Sequence, residues 1–166
     1  MPKKVVGIIV VLGLVMAWCA VAQVGAKRKA SDPRVEKLLK DMGATYLIDD
    51  DGDFKMTNDV GGGRTQNVYA LSTTVNLSGL EIRVVASPSF TFKRPMNAEL
   101  ANRLLEQNAT VKLGAWQTQK LGDEYVAVFS AQIAAETDSG TLLTAIKAVT
   151  ETADELEKEL TSKDVF

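Results

Sequence analysis

The hydrophobic pattern is strand-like in two adjacent stretches near the middle of the chain, residues 65–75 and 80–92. β-Branched and aromatic residues alternate with polar ones in both stretches, which favours strands over helices. The turn Asn76–Gly79 separates them, so the sequence predicts an antiparallel hairpin. Ser87–Ser89 interrupts the strand pattern of the second stretch. Helical patterns lie on either side, and we therefore expect a sheet with helices packed against it.

Two further hairpins are predicted, one on each side of the central pair. The first occupies residues 45–57 and turns at Asp51-Gly52. The second joins residues 111–119 to residues 124–134. The last of these strands is apolar on both faces, which predicts a strand that is central or covered on both sides. Gly61–Gly63 precedes a strand and not a helix, so we expect a flexible connector there and not a phosphate-binding loop.

Three amphipathic helices are predicted from apolar residues at helical spacing. The first is capped by Asp32, has Pro33 at its first position and stops at Gly43. The second opens at Pro95 and ends at Asn108. The expected element order is α-β-β-β-β-α-β-β-α, which defines an α+β fold with a mainly antiparallel sheet.

The third helix follows an Asp138 or Ser139 cap and carries an apolar seam from Leu142 to Leu160 at heptad spacing. For a seam this short, docking on the sheet is favoured over self-association. The outer face of the helix is predicted to be a solvated surface. The charged residues of that face are Lys147, Glu151, Asp154, Glu155, Glu157, Lys158, Glu159 and Lys163.

Length and composition suit one globular domain and exclude several functions. The chain has 166 residues, of which 46% are hydrophobic and 24% charged. Lys3 and Lys4 are two of the 19 basic residues, so 17 basic and 21 acidic residues remain beyond residue 22, a net charge of −4. This balance disfavours nucleic acid as a partner. Histidine is absent and Cys19 is the one cysteine, so we expect no disulfide, thiol nucleophile or soft-metal ligand in the rest of the chain.

An uncharged apolar run, residues 5–22, follows the basic pair Lys3-Lys4. The small residues Ala20–Ala22 suit a signal peptidase, which predicts cleavage before Gln23. An uncleaved membrane anchor formed by residues 5–22 is the alternative, because about 18 apolar residues just suffice to cross a bilayer. Lipidation of Cys19 is disfavoured by the bulky indole that precedes it.

These boundaries divide the chain into three parts. Residues 1–22 are the signal peptide or anchor, residues 23–31 are a polar connector, and residues 32–166 form a single domain. The domain is expected to be periplasmic or secreted after cleavage, or membrane-anchored if the leader is retained. Contact with the membrane is expected only through the amino-terminal segment.

Four aspartates at positions 49, 50, 51 and 53 invite a calcium-loop interpretation. The spacing fails, because Leu47 and Asn58 occupy positions at which a calcium loop needs carboxylates. A solvated hairpin tip is therefore favoured over a weak cation site.

No catalytic, cofactor-binding or metal-ligating residue is predicted. The candidate nucleophile with a general base is Ser72 with Lys55, and the candidate carboxylate pair is Asp51 with Asp53. Neither pair lies in a recognisable motif, so a small hydrolase is a minor alternative.

Three aromatic residues are candidates for contact with a partner. Phe90 and Phe92 precede Lys93-Arg94, an arrangement that can hold a base or an anionic ligand. Entry of these rings into the core, with the cations at its rim, is the favoured interpretation. Trp116 is expected to plug the gap between sheet and helix, because an indole needs only one hydrogen-bond partner. Phe90, Phe92 and Trp116 are the candidate partner-contact residues.

The chain resembles the YbjN family, whose domain is similar to the type III secretion chaperone fold. The likeness rests on VEKLLKDMGATYLIDDDGDFKM, where a leucine-rich helix leads into an acidic hairpin, and on LANRLLEQNATVKLGAWQTQKLGDEYVAVFSAQI. It covers nearly everything from Val35 to Leu160. The resemblance implies a non-enzymatic domain that associates with itself or with polypeptide. The export signal departs from the family, many of whose members look cytosolic.

The expected function is that of a non-enzymatic, exported binding module in the cell envelope. It would hold a protein or peptide client in a chaperone-like or regulatory role, and a homodimer is one form of such association. An envelope-tethered structural protein is the alternative. No cofactor and no nucleic-acid partner are expected.

Overall fold

The computed structural model describes residues 29–161 and 163–166. The predicted leader, residues 1–22, and the first part of the connector lie outside the described residues. No helix within the described ranges is long and apolar enough to cross a membrane.

The described chain folds into helices and strands in the predicted order. Their bounds are α1 Pro33–Asp41, β1 Leu47–Ile48, β2 Phe54–Gly61, β3 Arg64–Leu77, β4 Leu80–Phe92, α2 Ala98–Asn108, β5 Ala115–Leu121, β6 Glu124–Ala134 and α3 Ser139–Thr161. All strands pair antiparallel in one six-stranded sheet with the spatial order β1-β2-β3-β4-β6-β5. The predicted fold class is confirmed, and the apolar strand β6 lies inside the sheet, between β4 and β5.

Side-chain caps decide where the helices begin. The carboxylates of Asp32 and Asp138 each accept a backbone N–H in the first turn of α1 and α3, at 2.9 and 2.7 Å. The second helix begins at Ala98, later than the predicted start at Pro95. The reason is that Asn97 caps it, accepting a backbone N–H at 2.8 Å.

The core lies between α3 and one face of the sheet. The seam of α3 is buried there from Leu142 to Leu156, so the predicted docking is confirmed. Trp116 of β5 is 6% exposed and meets the ring of Phe129 edge-on, with ring centroids 5.1 Å apart. Its indole N–H donates to Gln107 of α2 at 2.9 Å. Trp116 thus fills the gap between the sheet and α2, as predicted.

Strand β4 runs without a break through Ser87–Ser89, so the predicted interruption is wrong. The register against β6 shifts between Pro88 and Phe90, which marks a β-bulge. Proline has no N–H to donate, and a bulge is one of the few places where an inner strand accommodates it. The hydroxyl of Ser89 donates to the carbonyl of Ala153 at 2.8 Å and so joins the bulge to α3.

The glycine run between β2 and β3 is a tight turn, so the predicted flexible connector is wrong. Gly62 and Gly63 form a two-residue hairpin loop and both have positive φ, 64° and 78°. Positive φ at both positions is the pattern of a type I′ turn, and glycine adopts that conformation without strain.

The charge of the acidic hairpin tip predicted full solvation. In the structure the tip is instead partly docked. Gly52 is buried against the connector, and a Cβ there would lie 2.7 Å from the backbone oxygen of Lys29. The carboxylate of Asp53 accepts the backbone N–H of Ser72 at 2.7 Å. Asp49 accepts two backbone N–H groups of the turn, at 3.0 and 2.9 Å. These aspartates therefore satisfy backbone groups, and the connector rests on their turn.

The prediction that Glu157 lies on a solvated face is also wrong, because its side chain is fully buried. Its carboxylate binds Arg64 at 3.2 Å and accepts the backbone N–H groups of Val165 and Phe166 at 2.6 and 3.2 Å. This carboxylate joins α3 to the start of β3 and to residues 163–166.

The hairpin of β3 and β4 projects beyond the strands on either side of it. We call residues 71–82 the β3–β4 arm, because β2 pairs with β3 only before this point and β6 reaches β4 only at its base. Val75, Leu77 and Leu80 of the arm are 63%, 62% and 54% exposed. Leu77 pairs directly with Leu80 and Val75 with Ile82, so the four side chains share one face.

Candidate functional site

Strand β2 has an open edge because its outer neighbour is very short. β1 pairs only with Phe54 and Lys55 of β2. From Met56 to Gly61 the outer edge of β2 has no strand partner in the described part of the chain. Such an edge exposes backbone donors and acceptors with which another extended segment can pair.

A groove of about 790 Å³ lies between this open edge and α3. Its apolar lining consists of Met42, Ala44, Met56, Val60, Leu143 and Ile146. Met56 and Ile146 are nearly fully buried, whereas Leu143 is 40% exposed and accessible from solvent. The side-chain amide of Asn58 on β2 donates to the hydroxyl of Thr150 on α3 at 2.9 Å, which fixes the two walls relative to one another.

The polar rim of the groove is acidic. Its charged members are Asp59, Lys147, Glu151, Asp154 and Glu155. Asp154 is paired with Arg64 at 2.8 Å. Within the described ranges, Glu151 and Glu155 take part in no ion pair. The rim therefore keeps a net negative charge after its one lysine and Arg64 are counted.

A second group of charges joins α1 to the β3–β4 arm. The side chain of Arg83 is 1% exposed, and it donates to Asp32 at 2.5 Å and to the carbonyl of Leu71. Asp32 also binds Arg34 at 2.6 Å, and Arg34 makes two hydrogen bonds of 2.8 Å to Glu81. These contacts hold the first turn of α1 against the arm. We call Asp32, Arg34, Glu81 and Arg83 the arginine cluster.

The arginines lower the pKa values of the carboxyl groups that they bind. Hydrogen bonds from Arg34, and then from Arg83, hold the pKa of Asp32 well below its usual range. Arg34 and the hydroxyl of Thr74 lower the pKa of Glu81 to about 2. Both carboxyl groups are therefore ionised at neutral pH, which suits ion pairing better than proton transfer.

The predicted partner-contact residues lie elsewhere on the sheet. Phe90 and Phe92 are half-buried against the core, and the ring of Phe92 stacks between those of Phe90 and Tyr125 at 5.8 and 5.7 Å. Trp116 lines a smaller cavity of about 250 Å³ between α2 and β5. None of the three predicted residues lines the groove beside β2. Their contact with a partner stays a prediction.

Folding does not bring Ser72 and Lys55 together as a nucleophile and base. The hydroxyl of Ser72 donates to the carbonyl of Gly52 at 2.6 Å and accepts the backbone N–H of Asp32 at 3.0 Å. The ammonium of Lys55 lies over the ring of Tyr69, 5.9 Å from its centroid. Both side chains are thus engaged in separate contacts.

The groove was not predicted from the sequence, although the short connection between α1 and β2 is a partial signal for it. Helix α1 ends at Asp41 and the next turn lies at Gly52, so few residues remain to flank the eight residues of β2. A short β1 must leave part of β2 without a partner. The position of α3 beside that edge is a tertiary contact that has no local signal.

The fold and the groove define a class of domain: an antiparallel sheet with its helices against the core and an open strand edge at β2. No protein-family model matches the chain, and no curated protein matches its sequence. Among solved structures, the chain is similar to the crystal structure of YbjN, a candidate transcription regulator from E. coli. The sequences are 11% identical, the TM-score is 0.50, and the match covers 77% of this chain and 89% of that one. The predicted YbjN-like fold is confirmed, and this likeness establishes the fold alone.

Proposed function

We propose that this chain is a non-enzymatic binding module that holds an extended segment of another polypeptide in the groove between β2 and α3. The observation that carries the proposal is the open edge of β2 from Met56 to Gly61, beside an accessible apolar wall. A segment added to this edge gains main-chain hydrogen bonds from β2. Its alternate side chains would be removed from water against Leu143 and Met42.

Binding can be measured by fluorescence polarisation with three labelled heptapeptides of the form Leu-Thr-Val-Thr-X-Thr-X, where X is Lys, Gln or Glu. We expect at least one of them to bind the native protein saturably. Replacing Leu143 by glutamine should weaken that binding roughly three- to eightfold, because full burial of a leucine contributes about 1.5 to 3 kcal/mol and only the exposed 40% of this side chain is newly covered by the peptide. Leu143 is partly exposed, so its replacement should leave the fold intact.

The matched control is Leu105→Gln on α2, which removes a leucine that is 63% exposed and does not line the groove. This variant should bind the peptides as the native protein does. Absence of saturable binding by all three peptides would contradict the proposed function. Equal loss in both leucine variants would place binding outside the groove.

The same proposal places the module in the cell envelope, and the sequence of residues 1–22 supports it. When the full chain is expressed in a cell with a signal peptidase, the mature protein should begin at Gln23. Intact-mass spectrometry of the purified protein measures this directly. A mass that retains residues 1–22 would instead favour a membrane-tethered protein.

A further inference from the structure

We infer that the segment held in the groove is apolar at one end and cationic at the other; this inference rests on the proposed function and specifies its ligand. The starting observation is a stripe of exposed side chains on α3 that all line the groove: Leu143, Lys147, Glu151 and Glu155. Each lies four residues beyond the last. Positions with this spacing share one face of a helix.

The stripe has nearly the same repeat as an extended segment. Four residues of helix rise about 6 Å, and alternate residues of a strand lie about 6.7 Å apart. β2 and α3 lie side by side here, because Asn58 of β2 contacts Thr150, and Arg64 of β3, which pairs with the last residue of β2, contacts Asp154 one turn further along α3. A strand added to β2 would therefore present successive inward side chains to successive members of the stripe.

The charges of the stripe specify which side chains fit at each position. At one end Leu143 lies near Met42 and Met56, so an apolar side chain fits there. At the other end Glu151 and Glu155 are carboxylates with no ionic partner among the described residues, and two cations separated by one residue would meet both. Lys147 lies between the two ends and disfavours a cation at the intervening position.

The three heptapeptides separate this inference from the proposed function. The Lys peptide should bind about fivefold more tightly than the Gln peptide, because each exposed ion pair contributes only a small gain. The Glu peptide should bind more weakly than both. The advantage of the Lys peptide should disappear in about 0.5 M NaCl, where exposed charges are screened. If all three peptides bind equally, the charge inference is overturned and the groove remains a binding site.

The double variant Glu151→Gln/Glu155→Gln tests the same point from the protein side. It should bind the Lys and Gln peptides equally, whereas the control Glu99→Gln/Glu106→Gln on α2 should retain the preference for lysine. Persistence of the preference in the first variant would overturn the inference.

The basic run Lys27–Lys29 of this chain is the other candidate occupant, because it also carries two lysines separated by one residue. In the variant Lys27→Gln/Arg28→Gln, affinity for the Lys peptide should be unchanged. A tenfold gain would show that the run competes for the groove and would overturn the assignment to a separate partner.

Discussion

Replacing Asp32 by alanine is expected to lower the free energy of unfolding by about 4 kcal/mol. The substitution leaves the guanidinium of Arg83 buried without its carboxylate, and breaking a buried ion pair in this way costs about 3 to 5 kcal/mol. It also removes the cap of α1, which contributes about 1 kcal/mol by itself. Urea denaturation followed by far-ultraviolet circular dichroism measures the loss.

Asp138→Ala is the matched control, because Asp138 caps α3 from an exposed position and binds none of the arginines that the structure describes. This variant should lose only about 1 kcal/mol. Equal losses in the two variants would mean that the buried charge contributes nothing beyond the cap. Replacing both Asp32 and Arg83 by uncharged residues should restore part of the stability, since no unpaired charge then remains.

The arginine cluster also makes stability depend on pH. The pKa values of Asp32 and Glu81 are lower in the folded state than in the unfolded chain, where they lie near 4. Their contribution is therefore fully present above about pH 5 and is lost as the pH falls through 4 toward 2. Burial raises the pKa of Asp53, which acts in the opposite sense. As the pH is lowered over this range, the urea midpoint of the Asp32→Ala variant should fall less steeply than that of the native protein.

The second large effect is expected at Glu157. Glu157→Gln keeps the shape of the side chain and one acceptor oxygen but removes the charge that faces Arg64. The free energy of unfolding should fall by about 3 kcal/mol, which is at the lower end of the cost of breaking a buried ion pair. The cost is low because Arg64 keeps its contact with Asp154. The measurement is again the free energy of unfolding in urea.

Glu155→Gln provides the control two residues earlier on the same helix, where the side chain is exposed and unpaired among the described residues. It should change stability by less than about 0.5 kcal/mol. A similar change at both positions would indicate that Glu157 is accessible to solvent in solution.

The order and type of the elements could be predicted from the sequence because each has a local signal. An aspartate cap followed by proline predicts the start of helix α1. Alternating apolar and polar residues on both sides of a glycine turn predict the β3–β4 hairpin. The seam of α3 also predicts its docking face, since apolar spacing fixes which side of a helix is buried.

Several of the errors arose where a distant contact overrides the local pattern. Glu157 belongs to a run of charged residues, and only its contact with Arg64, far away in the sequence, shows that it is buried. Asp32 is predictable as a cap but not as the partner of Arg83, because Arg83 lies on β4 and approaches Asp32 only in the folded sheet. Pro88 would end most inner strands, and the bulge that accommodates it depends on the register with β6.

The pairing of the two groove walls was unpredictable for the same reason. Its two walls come from β2 and α3, which the chain separates by the whole central part of the sheet. The acidity of α3 is visible in the sequence, but its role beside an open strand edge is defined only by the fold.

The strand order has a consequence for how the molecule is assembled during synthesis. β1 to β4 are joined by successive hairpins, so this half of the sheet can form while the remainder is still emerging from the ribosome. β5 and β6 make a second local unit, and only the β4–β6 ladder closes a long loop between the halves. We therefore expect that closure to be slow, since nonlocal pairing slows folding. Helix α3 follows both halves in the chain and packs against strands of each.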